Sequence, residues 1–570
     1  MKNPLELILS IHGALFTLVL VLLRYFSGLA DPFIQNTIQG LLFGTALLTL
    51  TAVFVFTGSR RDFRRRPWQL VLSVIFLAAV ILLYLKGRHT GQFHNWTIGY
   101  AVNGYLSATA FVSISSFLME LTGKSSPALL LPATFILVII VGTVLLMAPN
   151  ATPDQGISIL DAAFTATSAT CVTGLIVVDT EHDFTTIGQL VILALIQVGG
   201  LGLMTFAAFF TMTLGQNVGL SGTMNLSRLM DSEFASDIKH ILGSILIWTF
   251  TIESIGALLL FNTWSEMTEL GWSTRETIWQ SVFHSVSAFC NAGFSLNETN
   301  LEQFQHSPAT GLIIGFLIIL GGLGFMLLTT MGRAWLTRMK TGSSRPMPVQ
   351  ARFVLLITLI LIAGALVTFL AFEWNNTLAG MNLWEKLGNG FLEAVSPRTA
   401  GFNTVPTANI LPQVKWLFII LMFIGASPGG TGGGVKTTSI GLLFLSIRSL
   451  LRKSKNPEIW KRRIPIFDLQ RAGAVILLGM VAFALSSMIL LSVERVPEGF
   501  SDMDYIFEAM SAFGTVGLST GITGLLSPAG KVVIIITMLV GRTAPATLAA
   551  ATIRVRKAKY KYPEARITIG

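Results

Sequence analysis

Apolar residues occur along the chain in stretches of about 20, the length of helix that crosses the hydrocarbon core of a bilayer. They lie near residues 5–26, 37–57, 68–86, 97–121, 128–148, 187–212, 240–262, 309–330, 353–372, 414–446, 470–492 and 530–551. The first stretch follows a lone charge, Lys2, and no small-residue cleavage site comes after it, so it is not predicted to be a signal peptide. The pattern predicts an all-α polytopic membrane protein.

Basic residues indicate how the spans are oriented. They cluster at residues 60–66, 333–352, 448–463 and 554–566, which hold well over half of the 39 Lys and Arg residues. The positive-inside rule places all four segments in the cytoplasm. The first two can share a side only if an even number of spans separates them, which requires the less purely apolar stretch 97–121 to be a span. We therefore expect twelve spans in the plasma or inner membrane of the cell, with both termini cytoplasmic.

Four short polar stretches between the later spans align without gaps. Each begins with a phenylalanine and reaches a glycine ten residues later, giving the pairs Phe164–Gly174, Phe283–Gly293, Phe391–Gly401 and Phe507–Gly517. One such spacing is uninformative, but four in phase with the spans indicate an internal repeat. Each unit reads span, half-membrane segment, glycine turn, span. We predict units at 125–235, 236–348, 349–465 and 466–570, preceded by about four transmembrane helices in an extension, 1–124.

The repeat restricts what these stretches can do. Irregular backbone at membrane depth is tolerated only where it is buried in protein or lines a cavity. Four same-handed glycine strands around one axis would present carbonyl oxygens that replace the hydration shell of an alkali cation. The predicted filter residues are Val172, Thr173, Gly174, Asn291, Ala292, Gly293, Thr399, Ala400, Gly401, Thr515, Val516 and Gly517. Acids predicted to concentrate cations at the outer mouth are Asp179, Glu181, Asp183, Glu298, Glu498, Asp502 and Asp504.

The amino-acid composition excludes several other classes of protein. Hydrophobic residues make up 52% of the chain and charged residues 12%, with a mean hydropathy of +0.68, which excludes a soluble enzyme. The net charge of +10 is accounted for by cytoplasmic loops, so no nucleic-acid partner is expected. Cys171 and Cys290 share one column of the repeat, and we expect them to pack behind the filter rather than to bind metal or form a disulfide. No organic cofactor is expected.

The segment 165–180, with Gly293, Gly401 and Gly517 in the equivalent positions, resembles the selectivity-filter loops of the Trk/Ktr/HKT superfamily of potassium transporters. The resemblance covers roughly residues 125–570 and is greatest to the Ktr-type membrane subunit, here with an N-terminal extension of extra spans. It implies four span–re-entrant loop–span repeats around a pseudo-fourfold pore. Glycine at all four filter positions implies K+ as the transported ion, with Na+ as a second candidate ion. It also implies a homodimer in the lipid membrane that works with a cytosolic nucleotide-binding regulatory subunit.

The third inward span is interrupted between residues 425 and 438 by glycines and a proline, which break a helix. A phosphate-binding loop is not predicted, because Val435 rather than glycine precedes Lys436. In the resembling family this break forms an intramembrane gate below the filter. The resemblance therefore implies the gate residues Gly425, Gly432, Gly433, Gly434, Lys436 and Arg542. Arg542 either faces the pore and limits cation flux, or forms a structural pair with a carbonyl or an acid in the bundle.

Two further side chains have a structural interpretation. Arg398 lies three residues before Gly401, where its charge would repel cations. We expect it to point away from the ion path and brace the loop, with Glu393 or another acid as its partner. His284 is predicted to serve in helix packing.

These features predict potassium uptake through a channel-like pore with a four-loop filter and a gate, with sodium dependence as a candidate property. The alternative is a sodium- or proton-coupled carrier with alternating access, which typically has inverted repeats and a site on broken helices. The units here share one orientation, which favours the pore. A membrane enzyme would need clustered polar catalytic residues within the spans, and the sequence shows none.

Overall fold

The computed structural model describes residues 127–543, apart from 154–155, 203–237, 326, 333–338, 340–346 and 453–456. The predictions for the extension 1–124, the basic loop 60–66, most of the basic loop 333–352 and the basic tail 554–566 lie outside the described residues.

Helices make up most of the described chain. They are α1 (Pro127–Leu146), α2 (Ile159–Cys171), α3 (Thr186–Leu201), α4 (Ile238–Ser265), α5 (Thr274–Phe289), α6 (Pro308–Leu323), α7 (Val349–Glu373), α8 (Leu383–Val395), α9 (Pro412–Phe423), α10 (Thr437–Leu451), α11 (Ile466–Val493), α12 (Asp502–Gly514) and α13 (Pro528–Thr543). Short 3₁₀ helices lie at Thr268–Leu270, Glu302–Phe304, Thr407–Asn409 and Thr523–Leu525. Strands β1 (Glu458–Ile459) and β2 (Arg462–Arg463) form a small antiparallel hairpin, with Glu458 opposite Arg463.

Helix order repeats four times as an outer helix, a short helix and an inner helix. We call these units one (α1–α3), two (α4–α6), three (α7–α9, followed by α10) and four (α11–α13). Among the described residues, three helical stretches are long and apolar enough to cross a bilayer, Gly243–Ser265, Val349–Glu373 and Ile466–Val493. Their outward side chains are apolar; Leu359 and Val367, for example, are 66% and 67% exposed. Such a surface is suited to lipid and would be costly in water.

Local sequence explains where the helices begin. Each short helix starts after a residue typical of N-caps, and three of the four caps are followed by an acid that completes a capping box. The caps are Ser158, Ser273, Asn382 and Ser501. Inner helices α6, α9 and α13 begin at Pro308, Pro412 and Pro528, where proline's missing N–H and fixed φ cost nothing.

Contacts between units follow one rule around the molecule. The inner helix of each unit packs on the short helix of the next, in the pairs α3–α5, α6–α8, α9–α12 and α13–α2. The last pair joins unit four back to unit one. The described helices therefore close into a ring in which every short helix is enclosed.

The fourth residue of each inner helix contacts the next short helix, and the chemistry of the contact differs around the ring. Gln189 accepts a hydrogen bond from Trp279 Nε1 (2.8 Å). Gly311 packs so closely on Gly388 that an added Cβ would lie 2.9 Å from its carbonyl oxygen. Two ion pairs complete the set, Lys415–Asp504 (3.0 Å) and Lys531–Asp161 (2.6 Å). Unit four is thus held by an ion pair on each side.

Candidate ion filter and gate

The backbone after each short helix has one shape in all four units. The residue two before the glycine has a positive φ, as does the glycine itself, and this region is sterically unfavourable for side chains. The φ values are 58° and 92° for Val172 and Gly174, 59° and 70° for Asn291 and Gly293, 70° and 77° for Thr399 and Gly401, and 50° and 97° for Thr515 and Gly517. All twelve predicted filter residues lie in these four strands.

The four glycines lie edge to edge around a closed ring. A Cβ added at Gly174 would meet the carbonyl oxygen of Ala292 and lie 3.0 Å from the Cα of Gly293. The same contact relates each strand to the next: Gly293 to Ala400 (2.8 Å from its carbonyl oxygen), Gly401 to Val516, and Gly517 to Thr173. Glycine is therefore required by space as well as by φ, and the carbonyl before each glycine lies at the junction with the neighbouring strand.

A serine on the short helix holds the filter strand in three units. Ser168 Oγ accepts a hydrogen bond from the Gly174 N–H (3.0 Å), and Ser511 Oγ accepts one from the Gly517 N–H (3.1 Å). Ser287 Oγ instead donates to the Phe294 carbonyl (2.8 Å). Unit three has Val395 in this column. The column is visible in the sequence alignment of the units, but its role was not predicted from it.

Glycines on the inner helices let those helices approach the filter from behind. A Cβ at Gly199, Gly321 or Gly541 would collide with a backbone carbonyl at the end of its own short helix. Those carbonyls belong to Thr170, Phe289 and Phe513, each four residues before its filter glycine. Gly425, the equivalent position in unit three, packs on Gly433 instead.

The interruption in unit three is a loop that folds back below the filter. Helix α9 ends at Phe423 and α10 begins at Thr437, so the apolar stretch 414–446 is two helices. Ile424 and Val435 form a parallel bridge, and the Gly425 N–H donates to the Val435 carbonyl (2.9 Å). The two ends of residues 424–436, which we call the intramembrane loop, are therefore hydrogen-bonded to each other.

The intramembrane loop contacts the filter directly. The Gly433 N–H donates to Thr515 Oγ1 (3.0 Å), and a Cβ at Gly432 would collide with Thr399 Oγ1. On the side of unit two, Ser427 N–H donates to the Gly322 carbonyl (3.0 Å) and Thr431 N–H to that of Gly321 (3.3 Å). The loop therefore contacts the strands of units three and four and the end of α6.

Arg542 ties this loop to unit one. Its Nη1 donates to the Thr431 carbonyl and its Nη2 to the Gly199 carbonyl, while the guanidinium lies 5.8 Å from the ring centre of Phe135. Lys436 Nζ donates to the Gly432 carbonyl of its own loop (2.7 Å). The structure thus gives Arg542 the carbonyl partners of the structural interpretation, one on the intramembrane loop and one on α3.

The prediction that Glu393 is the partner of Arg398 is wrong. That carboxylate accepts the Thr404 N–H instead (2.9 Å), and no acid within the described ranges pairs with Arg398. The side chain is buried and lines a small cavity with Asn291, Thr358 and Ala426. The prediction was wrong because Glu393, which lies five residues before Arg398, points to the backbone that follows Gly401.

Cys171 and Cys290 are buried free thiols, as expected for packing behind the filter. Cys290 Sγ lies 3.6 Å from Gln197 Oε1, and Gln197 Nε2 in turn donates to Glu253 (3.0 Å). Glu253 is a buried acid of α4 that sequence reasoning missed, although an acid within an apolar span is itself a signal.

The acids at the outer mouth are not equivalent. Asp504 is engaged with Lys415 and with the Ser501 N–H (2.9 Å), so its predicted role in concentrating cations is wrong. Burial alone would raise the pKa of Asp504, but the Lys415 and Ser501 hydrogen bonds and the Lys415 charge lower it below its usual value. Near the mouth of unit one, the hydrogen bond to Asp179 and its charge raise the pKa of exposed His182. Glu181, Glu298, Glu498 and Asp502 are exposed.

Comparison with known proteins identifies the family. The family described as TrkH, cation transport protein, matches residues 101–559. The chain belongs to this family. It is 36% identical over 449 residues to Ktr system potassium uptake protein B of Bacillus subtilis, covering 78% of this chain and 97% of that protein. It is 33% identical to potassium/sodium uptake protein NtpJ of Enterococcus hirae, covering 78% and 98%.

The fold comparison agrees. The crystal structure of the potassium transporter TrkH from Vibrio parahaemolyticus matches with a TM-score of 0.59 at 16% identity, over 85% of this chain and 97% of that one. This likeness shows a shared membrane fold. The chain is therefore a membrane transport protein and not an enzyme.

Proposed function

We propose that the protein takes up K+ across the cell membrane through a pore formed by its four units. The filter consists of the strands around Gly174, Gly293, Gly401 and Gly517, and the intramembrane loop is the gate. Uptake is driven by the membrane potential, and the names of the relatives make K+ the first candidate ion and Na+ the second. Pore units at 125–235, 236–348, 349–465 and 466–570, after about four N-terminal spans, belong to the same proposal.

One observation carries this proposal, the closed ring of glycine strands. Its support is that each glycine faces the carbonyl that precedes the next glycine, so four backbone segments of equal shape meet at one axis. Rings of backbone carbonyls are the chemistry that strips water from K+ and replaces it. The strands are also backed by four short helices that pass part-way into the membrane.

The loop below the filter supports the assignment of a gate. It is tied to unit two through Gly321 and Gly322, to unit four through Thr515 and, through Arg542, to unit one. Because it covers the inner end of the filter, ions can pass only when it moves. Arg542 in this proposal stabilises the closed position and adds an electrostatic barrier to cations.

Assembly forms the last part of the proposal. The Ktr-named relatives belong to a Ktr system, and we propose that this chain acts as a homodimer with a cytosolic nucleotide-binding subunit. The hairpin β1–β2, with exposed Lys461, Arg462 and Arg463, is the described part of the basic cytoplasmic face such a subunit would contact.

Concentrative uptake tests the transport claim. The full chain in K+-loaded vesicles should accumulate tracer Rb+ from outside, and external K+ should compete more strongly than Na+. Accumulation no greater than in protein-free vesicles contradicts the proposal. A strict requirement for Na+ or H+ co-transport, with K+ flux abolished in its absence, favours the alternating-access carrier.

A further inference from the structure

One column of the repeat places ionisable side chains behind two of the four filter strands. The residue after the phenylalanine on the short helices is Thr165, His284, Leu392 or Glu508. His284 and Glu508 are fully buried, and they belong to units two and four, which are not neighbours in the ring. Neither is used in the filter and gate described above.

Glu508 reaches the strand of unit four just beyond the filter. Its Oε2 accepts a hydrogen bond from Ser519 Oγ (2.9 Å), and its Oε1 accepts one from Thr523 Oγ1. Ser519 lies two residues after the filter glycine Gly517. The contact therefore fixes the outer end of this strand to its own short helix.

His284 makes the equivalent contact in unit two. Its Nδ1 lies 2.8 Å from the Gln280 carbonyl, so Nδ1 carries the hydrogen, and Nε2 lies 2.9 Å from Ser295 Oγ. Ser295 is two residues after Gly293, the position that Ser519 has in unit four. A buried imidazole with both nitrogens in hydrogen bonds is fixed in orientation.

The hydrogen bonds of unit two continue into the next filter strand. Asn297 Nδ2 donates to Ser295 Oγ (3.2 Å) and to the Asn300 carbonyl (3.1 Å), and Asn300 Nδ2 donates to the carbonyl of the filter glycine Gly401 (3.1 Å). The contact between His284 and Ser295 is thus linked through Asn297 to Asn300, the residue that donates to a filter carbonyl in unit three.

The other two units lack this contact. In unit one, Thr165 Oγ1 has no partner among the described atoms, and the residue two after the filter glycine is Ile176. In unit three the column holds Leu392, and the neighbouring Glu393 binds backbone at Thr404 instead. The four filter strands share one backbone shape, but this side-chain contact supports the strand only in units two and four of the described chain.

We infer that His284 and Glu508 are positioning residues that hold the outer filter strands through Ser295 and Ser519 and so set the discrimination between K+ and Na+. The inference rests on the proposed function, because it takes these strands to be the filter. K+ and Na+ differ little in radius, so a strand released by a few tenths of an ångström changes the ratio at which the two ions pass before it changes whether the protein folds.

The test compares K+ and Na+ flux ratios in vesicles that contain the full chain. Glu508→Leu removes the hydrogen bonds that Glu508 accepts from Ser519 and Thr523, and Ser519→Ala removes the first of these from the opposite side. Leucine fits this column because unit three has Leu392 there. Each variant should lower the K+/Na+ flux ratio by about threefold or more, the scale of contacts within one hydrogen-bond network, and the double variant should fall no further. Glu508→Gln keeps both contacts, since an amide can accept from one hydroxyl and donate to the other, and should restore the wild-type ratio.

Leu392→Ala is the matched control, because it removes packing from the same column of unit three where no such contact exists. It should leave the ratio unchanged. His284→Leu should lower the ratio as Glu508→Leu does. If Glu508→Leu does not fold, the flux ratios of Glu508→Thr and Ser519→Ala test the inference instead. Threonine is the residue type that unit one has in this column.

Wild-type ratios in Glu508→Leu, Ser519→Ala and His284→Leu would overturn the inference while leaving potassium uptake intact. An equal loss in Leu392→Ala would also overturn it, because the effect would then be general packing. A wild-type protein with no preference for K+ would instead remove the proposed function on which the inference depends.

Discussion

Single residues in this protein are fixed by backbone geometry at the filter. Glycine is required at 174, 293, 401 and 517 because each has a positive φ and because a Cβ would enter the neighbouring strand. The residues two positions before these glycines also have a positive φ. The enclosed ends of the short helices hold the backbone in this conformation. The proposed filter thus rests on four positions at which a side chain has no space.

Arg542 gives the first prediction at this scale. Replacing it by alanine removes two hydrogen bonds from a charged donor, each worth about 1.5–3 kcal/mol, and frees the intramembrane loop from α3. We expect initial Rb+ uptake in vesicles to rise by about tenfold or more. Arg542→Lys, which keeps the charge but not both contacts, should lie between alanine and wild type.

Arg471→Ala is the control for charge, because Arg471 is exposed near the start of α11. It should leave the uptake rate unchanged. Wild-type rate and ion preference in a folded Arg542→Ala protein would contradict the role of Arg542 in the gate.

Gly433 gives a second prediction. A methyl group here would collide with Thr515 Oγ1 of the filter, so Gly433→Ala should push the loop away from it. Overpacking of this kind costs about 1–3 kcal/mol, which would reduce the closed state and raise Rb+ uptake by about fivefold or more. Gly473→Ala is the matched change in open space within α11 and should not alter uptake. Unchanged uptake in a folded Gly433→Ala protein would show that the loop does not close the pathway.

At the scale of elements, the ring is joined by contacts that recur at one position and differ in chemistry. The pairs Lys415–Asp504 and Lys531–Asp161 both connect an inner helix to the next short helix. The acid in each pair lies in the first turn of its helix, where the helix dipole also favours a negative charge. These pairs fix unit four against both neighbours.

The Lys415–Asp504 pair predicts a coupling in stability. Lys415→Met and Asp504→Asn should each lower the melting temperature in detergent, and the double variant should lose less than the sum, with a coupling of about 0.5–3 kcal/mol. Glu498→Gln, an exposed acid, is the control. Strictly additive losses would contradict an energetic role for the pair.

Acid should remove this stabilisation. The folded-state pKa of Asp504 lies below its usual value, so the unfolded chain binds more protons between the two values and stability falls as pH falls through that range. The contribution is complete at neutral pH and is lost well below pH 5. In the Lys415→Met protein, melting temperature measured against pH should show a smaller loss across the same interval.

Sequence reasoning succeeded where a pattern is repeated and failed where contacts join distant units. The phase of four glycines predicted the filter strands, and the run of glycines and proline predicted the break between α9 and α10. The ion pairs could have been found by aligning Lys415 with Lys531 and Asp504 with Asp161, but Asp504 was assigned to the mouth on charge alone. The partners of Arg542 depend on how units pack, which no single repeat contains, while Glu393 binds backbone at Thr404 of its own unit, a contact that the alignment of the repeats does not show.

The described part of the chain is a closed ring of four units with a fixed order of contacts. Closure places the four filter strands together, and it encloses polar residues such as Thr173, Asn291 and Thr515 within an apolar exterior. The family assignment and the membrane fold follow from the comparisons, while the ion and its path rest on the geometry of this ring.

The K+/Na+ flux ratio of wild type compared with that of Gly174→Ser is the most direct test of whether the four glycine strands form the ion filter. A serine Cβ at this position would meet Ala292 and Gly293, so it must displace the neighbouring strand of unit two and disturb the ring of carbonyls. The account predicts a wild-type protein that prefers K+ and a folded Gly174→Ser protein whose K+/Na+ ratio is lower by about tenfold, equivalent to ~1.4 kcal/mol of discrimination. An unaltered preference for K+ in the folded variant would contradict the account.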